Sequence, residues 1–163
     1  GITKEEMLTR MSGDIDELAQ KLNLSREETI AELTEHYDGY HFCWPSSDVF
    51  NPFSLLNCFA DGKMDSYWFG SGTPAYLINM MRKYDFLPSE LGTSMEAVKD
   101  DFYAATESMT TIMPQLYQSG YITIKGYDEE TGLYTLDVPN NEIRVGLFHS
   151  LLPHYLNDNS VKG

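Results

Sequence analysis

His36, Asp38 and His41 lie close together in the chain, and imidazole and carboxylate are ligands that zinc accepts. Their expected setting does not bring them to one point. His36 and Asp38 close a predicted helix, whereas His41 enters a predicted strand, so the positions read as a histidine near a helix C-terminus and an exposed strand residue. His149 and His154 stand five apart across Pro153, off the i, i+4 spacing of a helical zinc pair. In Gly70-Ser71-Gly72-Thr73-Pro74, glycines precede a helix start, where backbone N–H groups can cradle an anion. A P-loop needs GxxxxGK[ST] after a buried strand, and no lysine follows here until Lys83, so a tight turn into a capped helix accounts for these residues. There is no GxSxG elbow, and acids on helices do not supply the strand-borne acid, acid and lysine set of a PD-(D/E)XK centre. Cys43 and Cys58 fit no CxxC or zinc spacing and fall in different elements, which predicts buried free thiols in a reducing compartment. No catalytic residue and no metal ligand is assigned to this chain.

The elements that would position any such groups come from a chain of 163 residues that is 42% hydrophobic and 13% aromatic, enough for a real core. Its 25 acidic against 11 basic residues give a net charge of −14, which repels phosphate backbones and anionic membrane surfaces. No charged-then-apolar leader and no apolar run of membrane-spanning length is present, so a cytoplasmic protein without a membrane partner is expected. The opening on Gly1, running straight into helical pattern, suggests a piece of something longer.

Thr3-Lys4-Glu5-Glu6 and Ser25-Arg26-Glu27-Glu28 both match the capping box, which satisfies free N–H groups at a helix start. Between them Ile15, Leu18, Ala19 and Leu22 fall on one helical face, and a third helix buries Ile30, Leu33 and Tyr37 before Gly39. Tyr40, Phe42 and Trp44 then alternate with His41 and Cys43, Pro45 to Asp48 reads as a turn and Val49-Phe50 as a return, predicting a short hairpin. Asn51 caps the next helix with Pro52 at its first position, running to about Ala60 before Gly62. Thr73-Pro74 repeats the device, with Tyr76, Leu77, Met80 and Met81 on the apolar side. A joint between lobes is expected from Tyr84 to Thr93. Beyond it the pattern predicts helices over Met95 to Ala105 and Ile112 to Gln118, strands Tyr121 to Lys125 and Leu133 to Val138 around an acidic turn, and a helix after Pro139-Asn140-Asn141. The fold class is mainly α, of the α+β kind: a helical lobe with a short β-hairpin over 1–86, then a winged-helix-like lobe with a two-stranded ribbon over 87–163.

A winged helix suggests DNA, but the would-be recognition helix from Thr111 to Ser119 has no lysine or arginine, and the ribbon tip is Asp128-Glu129-Glu130. Phosphate contact there brings repulsion rather than counterion release, so nucleic acid is not an expected partner. Aromatic side chains crowd the stretch from Tyr37 to Phe69. Most are expected to be core, and a remainder to face another domain.

The blocks YDGYHF, VFNPFSLLN and YWFGSGTPAYLI, with LYQSGYITIKGYDEETGLYTLDVPN, closely resemble a bacterial family of AAA-ATPase-like proteins, in which a P-loop ATPase region is usually followed by a PD-(D/E)XK nuclease-like region. The match runs from the first helix to about Leu152. It departs at Cys43-Trp44, where the family has a more polar turn, and at Phe53, where it often has tryptophan. The matched motif positions are Tyr37, Asp38, Gly39, Tyr40, Phe42, Asn51, Pro52, Trp68, Gly72, Thr73, Pro74, Gly120 and Tyr121, as structural or interface residues. The resemblance implies a middle segment, with the helical part forming the lid-like end of an ATPase module. ATP and Mg are then expected for the longer protein and no cofactor for this segment. The implied partners are the upstream ATPase region and the downstream nuclease-like region of the same polypeptide. Arg26 and Arg82 are the arginines a lid could offer to a nucleotide, and a solvated surface role is the expectation for both.

Overall fold

The computed structural model describes residues 1–41, 44–69, 75–87, 89–90, 93–103 and 111–162, with side chains to 153. Both capping boxes form. Thr3 opens α1 (Lys4–Arg10) and Ser25 opens α3 (Arg26–Tyr37), each side chain accepting from the N–H three residues on while the glutamate there reaches back. Between them α2 (Ser12–Leu22) buries Ile15, Leu18 and Ala19 and ends on Asn23 in the left-handed conformation. The apolar face of α3 is offset from the expected one, since Thr29, Leu33 and Tyr37 are buried and Ile30 only half-buried. The Thr29 hydroxyl makes this tolerable by donating to the Ser25 carbonyl at 2.8 Å.

Among the described residues the expected hairpin shows one bridge. Tyr40 and Val49 exchange backbone hydrogen bonds of 3.1 and 3.0 Å, but β2 (Val49–Phe50) takes its ladder partner from the start of the chain, β1 (Ile2–Thr3). Phe42 and Cys43 lie outside the described residues. α4 (Pro52–Asp61) is capped as the sequence predicts: Asn51 Oδ1 accepts from Phe53 N at 3.0 Å, Pro52 takes the first position and Gly62 ends the helix at φ 73°. A 3-10 turn (Tyr67–Phe69) and α5 (Ala75–Lys83) follow. Gly72, Thr73 and Pro74 fall outside the described residues, as do Pro88 and Gly92.

Where one helix was expected over Met95 to Ala105, the chain instead forms β3 (Met95–Ala97) and the four-residue α6 (Lys99–Phe102). The reason is legible in the burial, which alternates half-buried, exposed, buried along Met95, Glu96 and Ala97, a strand period. The ribbon of β4 (Thr123–Asp128) and β5 (Leu133–Asp137) thereby becomes a three-stranded antiparallel sheet in the order β3-β5-β4. Its register slips between Ile124 and Gly126, so Lys125 sits on a bulge. Short α7 (Met113–Gln118) precedes β4 and carries Pro114 in its first turn. Long α8 (Asn141–Lys162) closes the chain.

The result is a mainly α structure with two small sheets and two hydrophobic cores. One gathers Met7, Ile15, Leu18, Leu33, Tyr37, Phe50, Leu55 and Cys58 from the first four helices and β2. The other gathers the sheet, α7 and the buried face of α8, and α5 contributes Leu77 and Met81 to it. α8 also contacts α3 and the 3-10 turn, so its first turns lie where the cores meet. Among the described residues no helix is long and apolar enough to cross a membrane.

Candidate functional site

The motif residues converge on the seam between the cores. Tyr37, at the end of α3, is fully buried; its hydroxyl donates to the Asp65 carbonyl at 2.8 Å and accepts from Asp65 N at 2.9 Å, fixing the chain that leads to the 3-10 turn. After it the backbone turns sharply through Gly39 at φ 101°. A Cβ there would collide with the Pro139 carbonyl oxygen and stand 2.8 Å from Lys125 Nζ, so conformation and close approach both demand glycine.

Into that gap reaches Lys125. Lys125 stands on the bulge of β4 as an exposed residue, and its ammonium donates to Gly39 O at 2.8 Å and to Pro139 O at 2.9 Å, joining the two segments through their main chains. Burial pulls its pKa below the usual lysine range, and the carboxylates of Asp48, Asp137 and Asp38 oppose that pull. Asn140 makes a parallel tie: its Nδ2 donates to Asp38 O at 2.8 Å, while its Oδ1 caps α8 by accepting from Ile143 N at 3.1 Å. A third tie is Thr123, whose hydroxyl accepts from His41 N at 2.9 Å and donates to His41 O at 2.7 Å, as a neighbouring strand would.

Beyond these backbone ties lies a buried pocket of polar side chains. Glu142, only 1% exposed, accepts from Trp68 N at 3.2 Å, and Ser66 Oγ donates to its main-chain carbonyl at 3.4 Å. Burial pushes its carboxyl above the ordinary glutamate range, partly offset by Ser54 and by the backbone at Trp68 and Tyr67. Ser54 stands close enough to act on that carboxyl, yet neither Ser54 Oγ nor Glu142 Oε1 has a partner of good hydrogen-bond geometry among the described residues, and the same holds for Asn51 Nδ2 and Asp38 Oδ1. Asp38 is likewise raised, chiefly by burial. Burial also raises the Tyr40 hydroxyl, which faces Glu142, Asn140 and Asn51.

On the outer side of the seam, Gly120 at φ 81° lets Trp68 and Tyr40 pack over it, a built Cβ lying 3.6 and 3.9 Å from their rings. Tyr40, Phe50, Asn51, Pro52, Trp68 and Gly120 help line an open pocket of about 200 Å³. Next to Gly120, Tyr121 is buried with its ring 6.2 Å from that of Phe69, and Phe69 in turn occupies the space beside Gly146 of α8. Thus Tyr37, Asp38, Gly39, Tyr40, Asn51, Pro52, Trp68, Gly120 and Tyr121, drawn from four separate blocks, meet at one seam. Phe42, Gly72, Thr73 and Pro74 lie outside the described residues.

His36 and His41 lie in different surroundings, and the second corrects its expectation. His36 Nδ1 stays on its own helix, 3.0 Å from Glu32 O. His41, expected to be exposed, is buried: Nε2 pairs with Asp48, Nδ1 lies 3.0 Å from Ser46 Oγ and Trp44 packs against the ring, so the turn folds back over it. Among the described residues no three His, Cys, Asp or Glu side chains are placed to hold a metal ion. Cys58 is a buried free thiol, pushed by burial to about 11, far from a reactive thiolate. Cys43 and the loop from Gly70 to Pro74 lie outside the described residues. Arg26 is bound to its own lobe, donating to Ser12 Oγ at 2.9 Å and pairing with Asp16.

Lys125, Asn140, Glu142, Ser54 and Thr123 are the site residues that the motif positions did not include. The signal for Lys125 was its place in the apolar alternation Tyr121-Ile122-Thr123-Ile124, where a lysine is out of pattern; for Asn140 and Glu142 it was the cap that starts α8.

No family model matches this chain, and no solved structure matches it. An uncharacterised protein encoded in the vnfD 5' region of Azotobacter chroococcum mcd 1 is 33% identical over 130 residues, which is 77% of this chain. The chain spans about a quarter of that relative's length, 24%.

Proposed function

We propose that this chain is a noncatalytic coupling segment of a longer AAA-ATPase-like protein. Residues 1–86 act as its helical, lid-like part, residues 87–163 act as a winged-helix-like lobe, and the seam between them relays the state of one neighbouring region to the other. The observation that carries this reading is the seam itself. The turn after α3, Asp38 to His41, is bound through its main chain by Asn140, Lys125 and Thr123 from the other core, which is what a part that must move as a unit requires. α5 straddles the division, since Leu77 and Met81 pack into the second core.

Three further features support it. The chain matches a quarter of a much longer relative, which leaves room for flanking regions. The order β3, α6, α7, β4, β5, with the sheet closed on short helices, suits a winged-helix-like lobe. That lobe is ill-suited to phosphate, because α7 turns Pro114 and Leu116 into the core and the exposed ribbon tip is acidic. The test is ATP turnover by this chain and by the longer protein that contains it. Turnover by the longer protein alone agrees with the reading, and turnover by this chain contradicts it.

A second reading, an independent protein-interaction module, is favoured by α4. Phe53 and Leu56 stand 59% and 53% exposed one turn apart, an apolar strip available to a partner. Capture of the same partner by this chain with and without the flanking regions separates the two readings.

A further inference from the structure

We propose that Glu142 is a proton-operated latch on the seam: the two cores close on its neutral carboxyl, and loss of the proton favours their parting at the first turn of α8. The proposal rests on the coupling reading above and names what could bias that joint.

The geometry is that of a carboxyl shut between elements. Glu142 belongs to α8 and is 1% exposed, yet it meets Ser54 of α4 and the backbone of the 3-10 turn, where Trp68 N donates to Oε2 at 3.2 Å. Its other oxygen and the fully buried Ser54 Oγ both lack a well-formed hydrogen bond among the described residues. A carboxylate only accepts, while a neutral carboxyl adds an O–H donor. Opening the seam would give both atoms to water.

Among the described residues the titratable groups that face Glu142 offer no counter-charge. They are Tyr37 from α3, Tyr40 from the segment after it, Cys58 from α4 and Asp65 from the approach to the 3-10 turn. The first three are kept neutral by burial, and Asp65 adds repulsion. On its own helix Arg144 is exposed. The Ser54 hydroxyl and the backbone N–H groups at Trp68 and Tyr67 favour the anion, and burial outweighs them. A carboxyl whose folded pKa is raised contributes stability fully present below the ordinary glutamate range and lost as pH rises through the folded pKa. Each unit of elevation makes the closed state about tenfold less favoured once the proton is gone.

The experiment is an NMR titration of this chain, following the Glu142 carboxyl carbon together with the Trp68 and Ile143 amides. The latch predicts a midpoint above that of exposed glutamates, reported at the same pH by carboxyl and amides, and absent from Glu142→Gln. Ser54→Ala removes a group that lowers the pKa and should move the midpoint further up, which keeps the test usable if Glu142→Gln fails to fold. A midpoint in the ordinary glutamate range, or amides indifferent to it, overturns the latch. The coupling reading stands or falls separately, on ATP turnover by the longer protein.

Discussion

The side-chain amide of Asn140 donates to the main-chain carbonyl of Asp38 at 2.8 Å, while its oxygen caps α8 at Ile143 N. One residue thus starts the last helix and fastens it to the turn that ends the third. Removing the side chain takes both bonds at once. Asn140→Ala is expected to destabilise the chain by about 2 kcal/mol, one for the cap and one for the buried carbonyl left without a donor. Urea unfolding measures this, and a loss under half a kcal/mol would mean the tie is decorative.

Gly39 admits no side chain for two independent reasons, its φ of 101° and the Pro139 carbonyl against its Cα. Gly39→Ala is expected to cost about 3 kcal/mol or more, because strain at a left-handed position adds to displacement of Lys125. The control is Gly132→Ala at the acidic turn, also at positive φ (73°) but with nothing within 4 Å of a built Cβ. It should pay only the conformational cost, about 1 kcal/mol.

Lys125 donates to two buried main-chain carbonyls, those of Gly39 and Pro139. Lys125→Met keeps the stem and removes the donors, and is expected to destabilise by about 2–4 kcal/mol as both acceptors stay buried. Equal stability of the variant would show that the seam closes without this tie.

Asp38 and Glu142 both have carboxyl pKa values raised chiefly by burial. For raised carboxyls the sign is fixed: their stabilisation is complete below the ordinary carboxylate range and declines as pH rises through the folded values. Stability should therefore fall from mildly acidic towards neutral pH, and Asp38→Asn and Glu142→Gln should each flatten part of that slope. Repulsion among the 25 acidic residues gives a slope of the same sign, but salt screens it. The buried part should persist in 1 M salt, so the comparison at high salt is decisive.

Leu56 on α4 is half exposed with Phe53 one turn away. Leu56→Lys should change the stability of this chain by no more than about 0.5 kcal/mol. If the strip docks on a flanking region, the same substitution should weaken function only in the longer protein.

Local signals carried far in this sequence. Both capping boxes, the Asn51-Pro52 start, the Gly62 stop and the acidic turn of β4 and β5 are written in adjacent residues, and each forms where the residues predict it. What needed partners distant in sequence was not legible. Met95-Glu96-Ala97 fits a helix by composition and becomes a strand because β5 offers it an edge. Val49-Phe50 pairs with Ile2-Thr3 rather than closing a full hairpin on Tyr40. Lys125 is the plainest case. Weighed as a surface charge it makes no basic patch, and only the fold reveals that this exposed lysine ties its ammonium to the Gly39 and Pro139 carbonyls.

The most direct test of the central claim, that the seam transmits rather than reacts, is ATP turnover by the longer protein carrying Lys125→Met or Asn140→Ala, read beside its folded fraction. The account predicts that turnover, or its response to the downstream region, changes in protein that remains folded, while the upstream region alone is unaffected. Turnover and response identical to the unsubstituted protein, with the seam demonstrably broken, would contradict it.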